Sequence, residues 1–274
     1  MLSQEDRRRI YDYACVPEHL PDYVEAVSRR EGHLAGGYLC FTGGGHLVLV
    51  GYALGPADGS PEEAFDRACE RFQPAAASLV APEIRLAGES VERGPVDRYY
   101  RLALPLDRVP PGAAYMVRRA RTELRVEEGG FGKAHRKIVK AFLAGRDLSP
   151  EQRRIFKRIP GYLSRSGTAR LLEARKGKEL VAFDILDLGS ARYAFHLFNF
   201  RAPGVNVPGA SDLLLREMAE LARKEGKSAL NLGLGVNAGI RRFKEKWGGE
   251  PFLPHASATV RRKGTGMGAL VRKL

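Results

Sequence analysis

The stretch that decides the fold is residues 190–249, which read SARYAFHLFNFRAPGVNVPGASDLLLREMAELARKEGKSALNLGLGVNAGIRRFKEKWGG. The pattern predicts, in order, a strand at 191–200, a turn-rich link at 201–209, a helix at 211–225, a strand at 228–232, a glycine loop at 233–239 and a short helix ending at Trp247. A loop that leads from a strand into a helix presents unpaired N–H groups at the helix start, which suits a phosphate. We therefore expect the ligand-binding part of the protein in this stretch.

Apolar runs on the N-terminal side of this stretch predict further elements. Residues 169–174, 180–187 and 191–200 are rich in Leu, Val, Ile, Phe and Tyr and are separated by short turns, which predicts a three-stranded antiparallel meander. Two helices are expected before the meander, at 132–144 and 149–164. The chain is therefore predicted to be an α/β protein with a mixed sheet.

The first 112 residues show a weaker version of the same alternation. Their pattern predicts helices at 5–13, 19–30 and 60–72 and strands at 34–42, 46–54, 77–81 and 98–104. Three glycines at 43–45 predict a hairpin turn rather than a phosphate loop, because no helix start follows them. Glu62 and Glu63 stand in the first turn of the helix at 60–72, where they would repel an anion.

Charge is divided unevenly along the chain. Residues 1–112 hold 12 Arg, no Lys and 17 acidic residues, a net charge of −5, whereas residues 113–274 hold 33 basic and 15 acidic residues, a net charge of +18. This excess indicates a polyanionic partner for the second part, such as RNA, an anionic surface or a phosphorylated cofactor. A basic surface that serves solubility alone is the alternative.

The breakers Val109-Pro110-Pro111-Gly112 coincide with this change of charge and predict a boundary between domains at 1–112 and 113–274. No run of apolar residues is long enough to predict a membrane span or a signal peptide, so we expect a cytoplasmic protein. The cysteines Cys15, Cys40 and Cys69 are widely spaced, which favours free thiols and predicts no metal site.

Two segments resemble the GNAT N-acyltransferase superfamily, and within it the tandem-GNAT Fem-type aminoacyltransferases. Residues 231–249 (NLGLGVNAGIRRFKEKWGG) are similar to the Fem-type strand, glycine loop and helix with the wording FK..(F/W)GG, and residues 115–120 (YMVRRA) resemble the junction between the two halves. The resemblance implies a tandem GNAT-like fold with a degenerate N-terminal half and a complete C-terminal half. It covers about residues 113–262 and is only architectural before them.

The resemblance also implies where a donor binds. The superfamily's pyrophosphate pattern, close to (Q/R)xxGx(G/A), aligns with Asn206, Val207, Gly209, Ala210 and Ser211, although Asn replaces Gln or Arg and Asp212 places a carboxylate nearby. A plain helix cap at Ser211 or Asp212 is the alternative. The implied donor is acetyl-CoA or another acyl-CoA, or an aminoacyl-tRNA in the Fem-type variant, with no metal.

The second glycine loop is interpreted in the same way. Gly233, Gly235 and Gly239 do not form a dinucleotide fingerprint, because the spacing is GxGxxxG and no βαβ unit follows. By resemblance the loop separates two strands around the acyl arm, with Asn237 and Lys244 as donor contacts. A loop that only turns the chain is the alternative.

Candidate catalytic residues are few. The superfamily's usual acid is a Tyr on the last helix, where this chain has Phe243 or Lys244. Asp184 lies among apolar residues, and with a two-residue turn at 188–189 it would face Tyr193, so these two are the predicted catalytic pair. His196 is expected on the opposite strand face as a core residue. A buried Asp184 that serves only the fold is the alternative.

The expected function is therefore transfer of an acyl or aminoacyl group from acyl-CoA or aminoacyl-tRNA to an amine acceptor that the sequence does not identify. The alternative is a non-catalytic GNAT-like scaffold whose basic half binds nucleic acid or an anionic surface.

Overall fold

The computed structural model describes residues 1–88 and 90–261. They group into two compact units. Unit 1 contains Met1–Leu2, Arg30–Val96 and the described residues from Pro254 onward, and unit 2 contains Ser3–Arg29 and Asp97–Leu253. The predicted boundary at 109–112 lies inside unit 2. The division into GNAT-like halves at 1–112 and 113–274 stays a prediction.

In chain order the elements are α1 (Gln4–Tyr13), α2 (Pro21–Ser28), β1 (Glu31–Ala35), β2 (Tyr38–Gly43), β3 (His46–Val50), α3 (Pro61–Phe72), β4 (Ala76–Ala81), β5 (Val91–Arg93), β6 (Asp97–Ala103), α4 (Pro111–Arg121), β7 (Arg125–Glu128), α5 (Lys133–Ala144), α6 (Pro150–Leu163), β8 (Ala169–Lys176), β9 (Glu179–Asp187), β10 (Tyr193–Arg201), α7 (Ala210–Lys224), β11 (Ala229–Leu234), α8 (Ala238–Lys246) and β12 (Glu250–Arg261). A short 3₁₀ helix at Pro17–His19 precedes α2.

Unit 1 is a mixed sheet covered by α3. Strands β1, β2 and β3 form antiparallel hairpins, β4 lies parallel to β3, and β12 pairs with β4 and β5. The glycine hairpin is confirmed, since β2 and β3 flank it and Gly44 and Gly45 both have positive φ. Helix α3 begins with a capping box between Ser60 and Glu63, so acidic groups occupy its start.

Unit 2 is a second mixed sheet, with the strand order β6-β11-β10-β9-β8-β7. The predicted meander is confirmed as antiparallel β8, β9 and β10, and only β10 and β11 run parallel. One face packs an aliphatic core against α4 and α7. The other packs an aromatic core that includes Phe183, Phe198 and Phe200 against α2, α5 and α6. The sheet is therefore covered on both faces, as its apolar strands require.

Local sequence explains most of the observed helix and strand boundaries, and it explains where they differ from the predicted ones. Ser149 caps α6 and Pro150 occupies its first position, as the sequence predicts. The strand predicted at 34–42 is wrong in one respect, because Gly36 and Gly37 adopt positive φ and divide it into β1 and β2. The sequence also predicts a last strand around 256–262, and the structure begins it earlier, at Glu250. The basic tail at 263–274 lies outside the described residues.

The start of α7 is fixed by close packing against α4. Gly209 has φ +84°, and a Cβ built there would collide with the Met116 carbonyl oxygen and lie 3.3 Å from the Ala120 side chain. Glycine is needed at this position because the backbone of α4 occupies the place of a side chain. This reason differs from the access for a phosphate that the sequence suggests.

We predict that Gly209→Ala lowers the free energy of unfolding by more than about 2 kcal/mol, because it adds a backbone clash to the cost of positive φ. Gly204→Ala is the matched control, since Gly204 has φ +78° and nothing lies within 4 Å of a Cβ built on it. Urea denaturation of the two variants measures the difference. If both variants lose the same free energy of unfolding, the Met116 backbone moves aside and the close contact does not explain the need for glycine.

Candidate functional site

The parallel strands β10 and β11 separate after a short ladder. Only three pairs join them, from Tyr193 with Ala229 to Phe195 with Asn231, although the strands continue to Arg201 and Leu234. Each strand also shifts register against its other neighbour just beyond this point. In unit 1 the equivalent parallel pair, β3 and β4, stays joined along all of β3. The space between the diverging parts of β10 and β11 is called the slot below.

Lys244 of α8 closes one side of the slot. Its Nζ donates to the carbonyl oxygens of Gly233, at 2.9 Å, and Leu234, at 2.6 Å. The ammonium also lies 5.4 Å from the centre of the Tyr100 ring. The side chain is buried, and this burial lowers the pKa of Lys244 to about 7. At neutral pH the residue can therefore both give and accept a proton.

The opposite side of the slot is formed by β10 at His196. A Cβ built at Gly233 would have the His196 carbonyl oxygen at 3.9 Å and Lys244 Nζ at 4.0 Å as neighbours. Backbone of β10 and the amine of α8 thus border the same small space beside β11. Beyond Phe195 and Asn231, no strand pairing between described residues joins β10 to β11 at this end.

A buried carboxylate supports the His196 ring. Asp184 Oδ2 lies 3.2 Å from His196 Nε2, and Asp184 Oδ1 accepts a hydrogen bond from Asn199 Nδ2 at 2.5 Å. Asp184 is fully buried, whereas the His196 side chain is 14% exposed. The imidazole is therefore partly exposed, and its Nε2 atom faces the buried carboxylate.

This arrangement corrects two sequence expectations. Asp184 lies opposite Asn199, not opposite Tyr193, because the link after β9 runs from Leu188 to Arg192 and the ladder places Phe195 against Asp187. His196 is not a simple core residue but the partner of Asp184.

Tyr193 lies elsewhere on the strand. It pairs with Ala229 in the ladder, and its ring stacks on Phe252 with centroids 5.9 Å apart. The structure does not bring it together with Asp184.

The predicted donor loop is largely engaged with protein groups. Asn206 accepts a hydrogen bond from Arg201, buried Val207 accepts one from the Ala210 amide, and Gly209 lies against Met116. Ser211 is the one predicted contact that reaches the site, since its hydroxyl donates to Asn199 Oδ1 at 3.4 Å.

Asp212 does not leave a bare carboxylate at the start of α7. It is buried, accepts a hydrogen bond from Trp247 Nε1 at 2.8 Å and pairs with Lys246. The repulsion of an anion that the sequence suggests is therefore weakened, because a cation and a donor hold this carboxylate.

The loop between β11 and α8 is braced. Asp97 accepts hydrogen bonds from the amides of Gly235 and Val236, and Val236 has a φ of 55°. Asn237 accepts a hydrogen bond from the Ile240 amide and so caps α8. Asn237 therefore has a structural task, and its predicted donor contact stays a prediction.

Sequence reasoning overlooks Asn199 and treats His196 as a core residue. It names Lys244 as a donor contact but does not predict that its side chain is buried. His196 and Asn199 are the polar residues of an otherwise apolar run in β10, which is an available signal. The register shift between His196 and Phe198 puts both on the face of Asp184, and alternation along a regular strand does not predict it.

Within residues 1–88 and 90–261, no helix has the length and apolar character that crossing a membrane requires. The same part of the chain holds no group of three or more His, Cys, Asp and Glu arranged to bind a metal ion.

Comparison with known proteins identifies the fold. No family model and no curated protein sequence matches the chain. Among solved structures, FemX matches with a TM-score of 0.64 and 11% identity over 93% of this chain and 96% of that one. The C-terminal domain of an Agrobacterium fabrum protein assigned as a lysylphosphatidylglycerol synthetase matches with a TM-score of 0.63 and 16% identity over 98% and 95%.

A tandem GNAT protein from the clavulanic acid biosynthesis pathway matches with a TM-score of 0.51 and 13% identity over 85% of this chain and 80% of that one. The chain thus has a GNAT-like fold. Within that class it is similar to tandem GNAT and Fem-type structures, as the sequence resemblance implies.

The low pKa of Lys244 predicts a pH-dependent contribution to stability. An unfolded lysine keeps its proton to about pH 10.4, so between about pH 7 and about 10 the unfolded chain binds the extra proton and stability should rise with pH. We expect wild type to gain stability relative to Lys244→Met by a few kcal/mol across this window. Urea titrations of both proteins at several pH values measure the difference, and a constant difference would contradict a buried, neutral amine.

Proposed function

We propose that this protein transfers an acyl or aminoacyl group from an activated donor to an amine, with the donor's reactive end in the slot. The observation that carries the proposal is the three-pair ladder between β10 and β11, beyond which Lys244 Nζ and the backbone of His196 border one space. The GNAT and Fem-type neighbours support the same reaction class.

In the proposed reaction the acceptor nitrogen attacks the donor carbonyl carbon and a carbon–nitrogen bond forms. The proton lost by the amine goes to the His196 ring, and Asp184 stabilises the resulting imidazolium. The bond to the leaving sulfur or oxygen then breaks, and protonated Lys244 supplies the proton that the leaving group needs. Solvent afterwards returns both side chains to their starting states. Lys244 thus takes the part that a tyrosine plays in the superfamily.

The donor loop favours an aminoacyl ester over acyl-CoA. A diphosphate needs open amides and unengaged polar groups, whereas the Asn206 side chain is bonded to Arg201 and the Ala210 amide to the Val207 carbonyl. The name of one structural neighbour, a lysylphosphatidylglycerol synthetase domain, agrees with aminoacyl transfer as the more specific form. Acyl-CoA remains the competing donor in the test.

We predict that charged tRNA, and not CoA, binds to the protein. A mixture of radiolabelled aminoacyl-tRNAs should be retained in filter binding, and CoA should leave the melting temperature unchanged. If CoA is the donor, saturation at 100 times its Kd should instead add about 2.7 kcal/mol of stability. Equal retention of charged and uncharged tRNA, with no effect of CoA, would overturn the enzyme proposal and leave the non-catalytic scaffold.

We also predict that the two proton-transfer groups are separable by mutation. With any donor and amine that give turnover, His196→Gln and Lys244→Met should each lower kcat by about 10²- to 10⁴-fold. Lys227→Met is the control, because Lys227 is a partly buried lysine that donates to the Ser190 carbonyl away from the slot. Turnover at the wild-type rate in either site variant would remove that residue from the mechanism.

A further inference from the structure

The exposed face of α5 is strongly cationic. Lys133, Arg136, Lys137 and Lys140 are all exposed, and at 3.6 residues per turn they fall within an arc of about 100° on the helix. The twelve residues of α5 include no Asp or Glu. Within the described part of the chain, none of these four side chains takes part in an ion pair.

Three exposed cations of unit 2 are each paired with an acidic residue. Arg121 pairs with Glu217, Arg154 with Glu151 and Lys176 with Glu123. Each of these three cations is in contact with an acidic neighbour. The face of α5 is set apart from them by its lack of neutralising partners.

Local helix energetics do not account for this face. Lys133 stands in the first turn, where the helix dipole disfavours a cation. Lys133 with Lys137, and Arg136 with Lys140, are like-charge pairs four residues apart, which destabilise a helix. An external anion would reverse both effects, because it would be attracted by every member of the set.

We propose that the exposed face of α5 is a docking surface for the phosphate backbone of an RNA helix. The cations extend over about 10 Å of helix axis, and a nucleic acid backbone is a linear array of phosphates whose counterions are released when such cations bind. An anionic membrane is a poorer fit. A helix that docks on lipid inserts large apolar side chains, and the large exposed apolar residues of the described chain lie outside α5.

The surface does not depend on the slot, so the two proposals can fail separately. A fluorescein-labelled RNA hairpin without an amino acid is titrated at several KCl concentrations and followed by fluorescence anisotropy. The triple variant Lys133→Gln/Lys137→Gln/Lys140→Gln should bind at least tenfold more weakly than wild type at low salt. Its plot of log K against log salt should be less steep by about 3.

The matched control removes three paired cations, as Arg121→Gln/Arg154→Gln/Lys176→Gln, and should keep the wild-type salt slope. Equal loss in both variants would attribute binding to net charge and overturn the proposal. Unchanged RNA binding by the α5 variant would also overturn the proposal. The same holds if the α5 variant no longer sediments with phosphatidylglycerol vesicles but still binds RNA. Thermal unfolding should show the α5 variant folded and no less stable than wild type, because like-charge repulsion has been removed.

Discussion

The separation of two parallel strands is the constraint on which the site depends. When β10 and β11 part after Phe195 and Asn231, the backbone groups beyond that point lose their natural partners. A buried carbonyl without a donor costs about 1 to 3 kcal/mol. Lys244 donates to the two carbonyls at the free end of β11, so the opening is held by a side chain in place of a neighbouring strand.

The position of Lys244 at the end of β11 also changes its acidity. An amine that must reach the end of a buried strand is removed from water, and the loss of hydration lowers its pKa into the neutral range. His196, on the other side of this opening, is partly exposed, and the carboxylate that its ring contacts is buried.

The sequence predicts the elements well and their registers poorly. Periodicity, caps and glycine turns are local properties, and they correctly place the meander, the capped helices and the order of elements in unit 2. The pairing of Asp184 with His196 depends on the five-residue link after Asp187 and on an irregularity between His196 and Phe198. Neither has a local signature, because both are decided by how neighbouring strands fit.

Lys244 is an instructive case. The run Arg241, Arg242, Lys244 and Lys246 makes α8 strongly basic, yet Phe243, Lys244 and Trp247 lie within one side of the helix at 3.6 residues per turn. Trp247 is buried and Phe243 is partly buried, so this side of α8 faces inward and Lys244 is buried with it. A charge on the apolar stripe of a short helix is therefore a better guide to the site than the number of charges around it.

The two units show why the opening needs this polar support. Both contain parallel strands joined by a helix, as β3-α3-β4 and as β10-α7-β11. The strands of unit 1 read HLVLV and AASLVA, pair without a register shift, and the helix between them begins with acids. The strands of unit 2 carry His196, Asn199, Asn231 and Gly233 where they part. In unit 1 the polar side chains of the β3 and β4 pair, His46 and Ser78, bond to each other across the intact ladder. The two units therefore share the strand–helix–strand connection and differ in whether the parallel strands part.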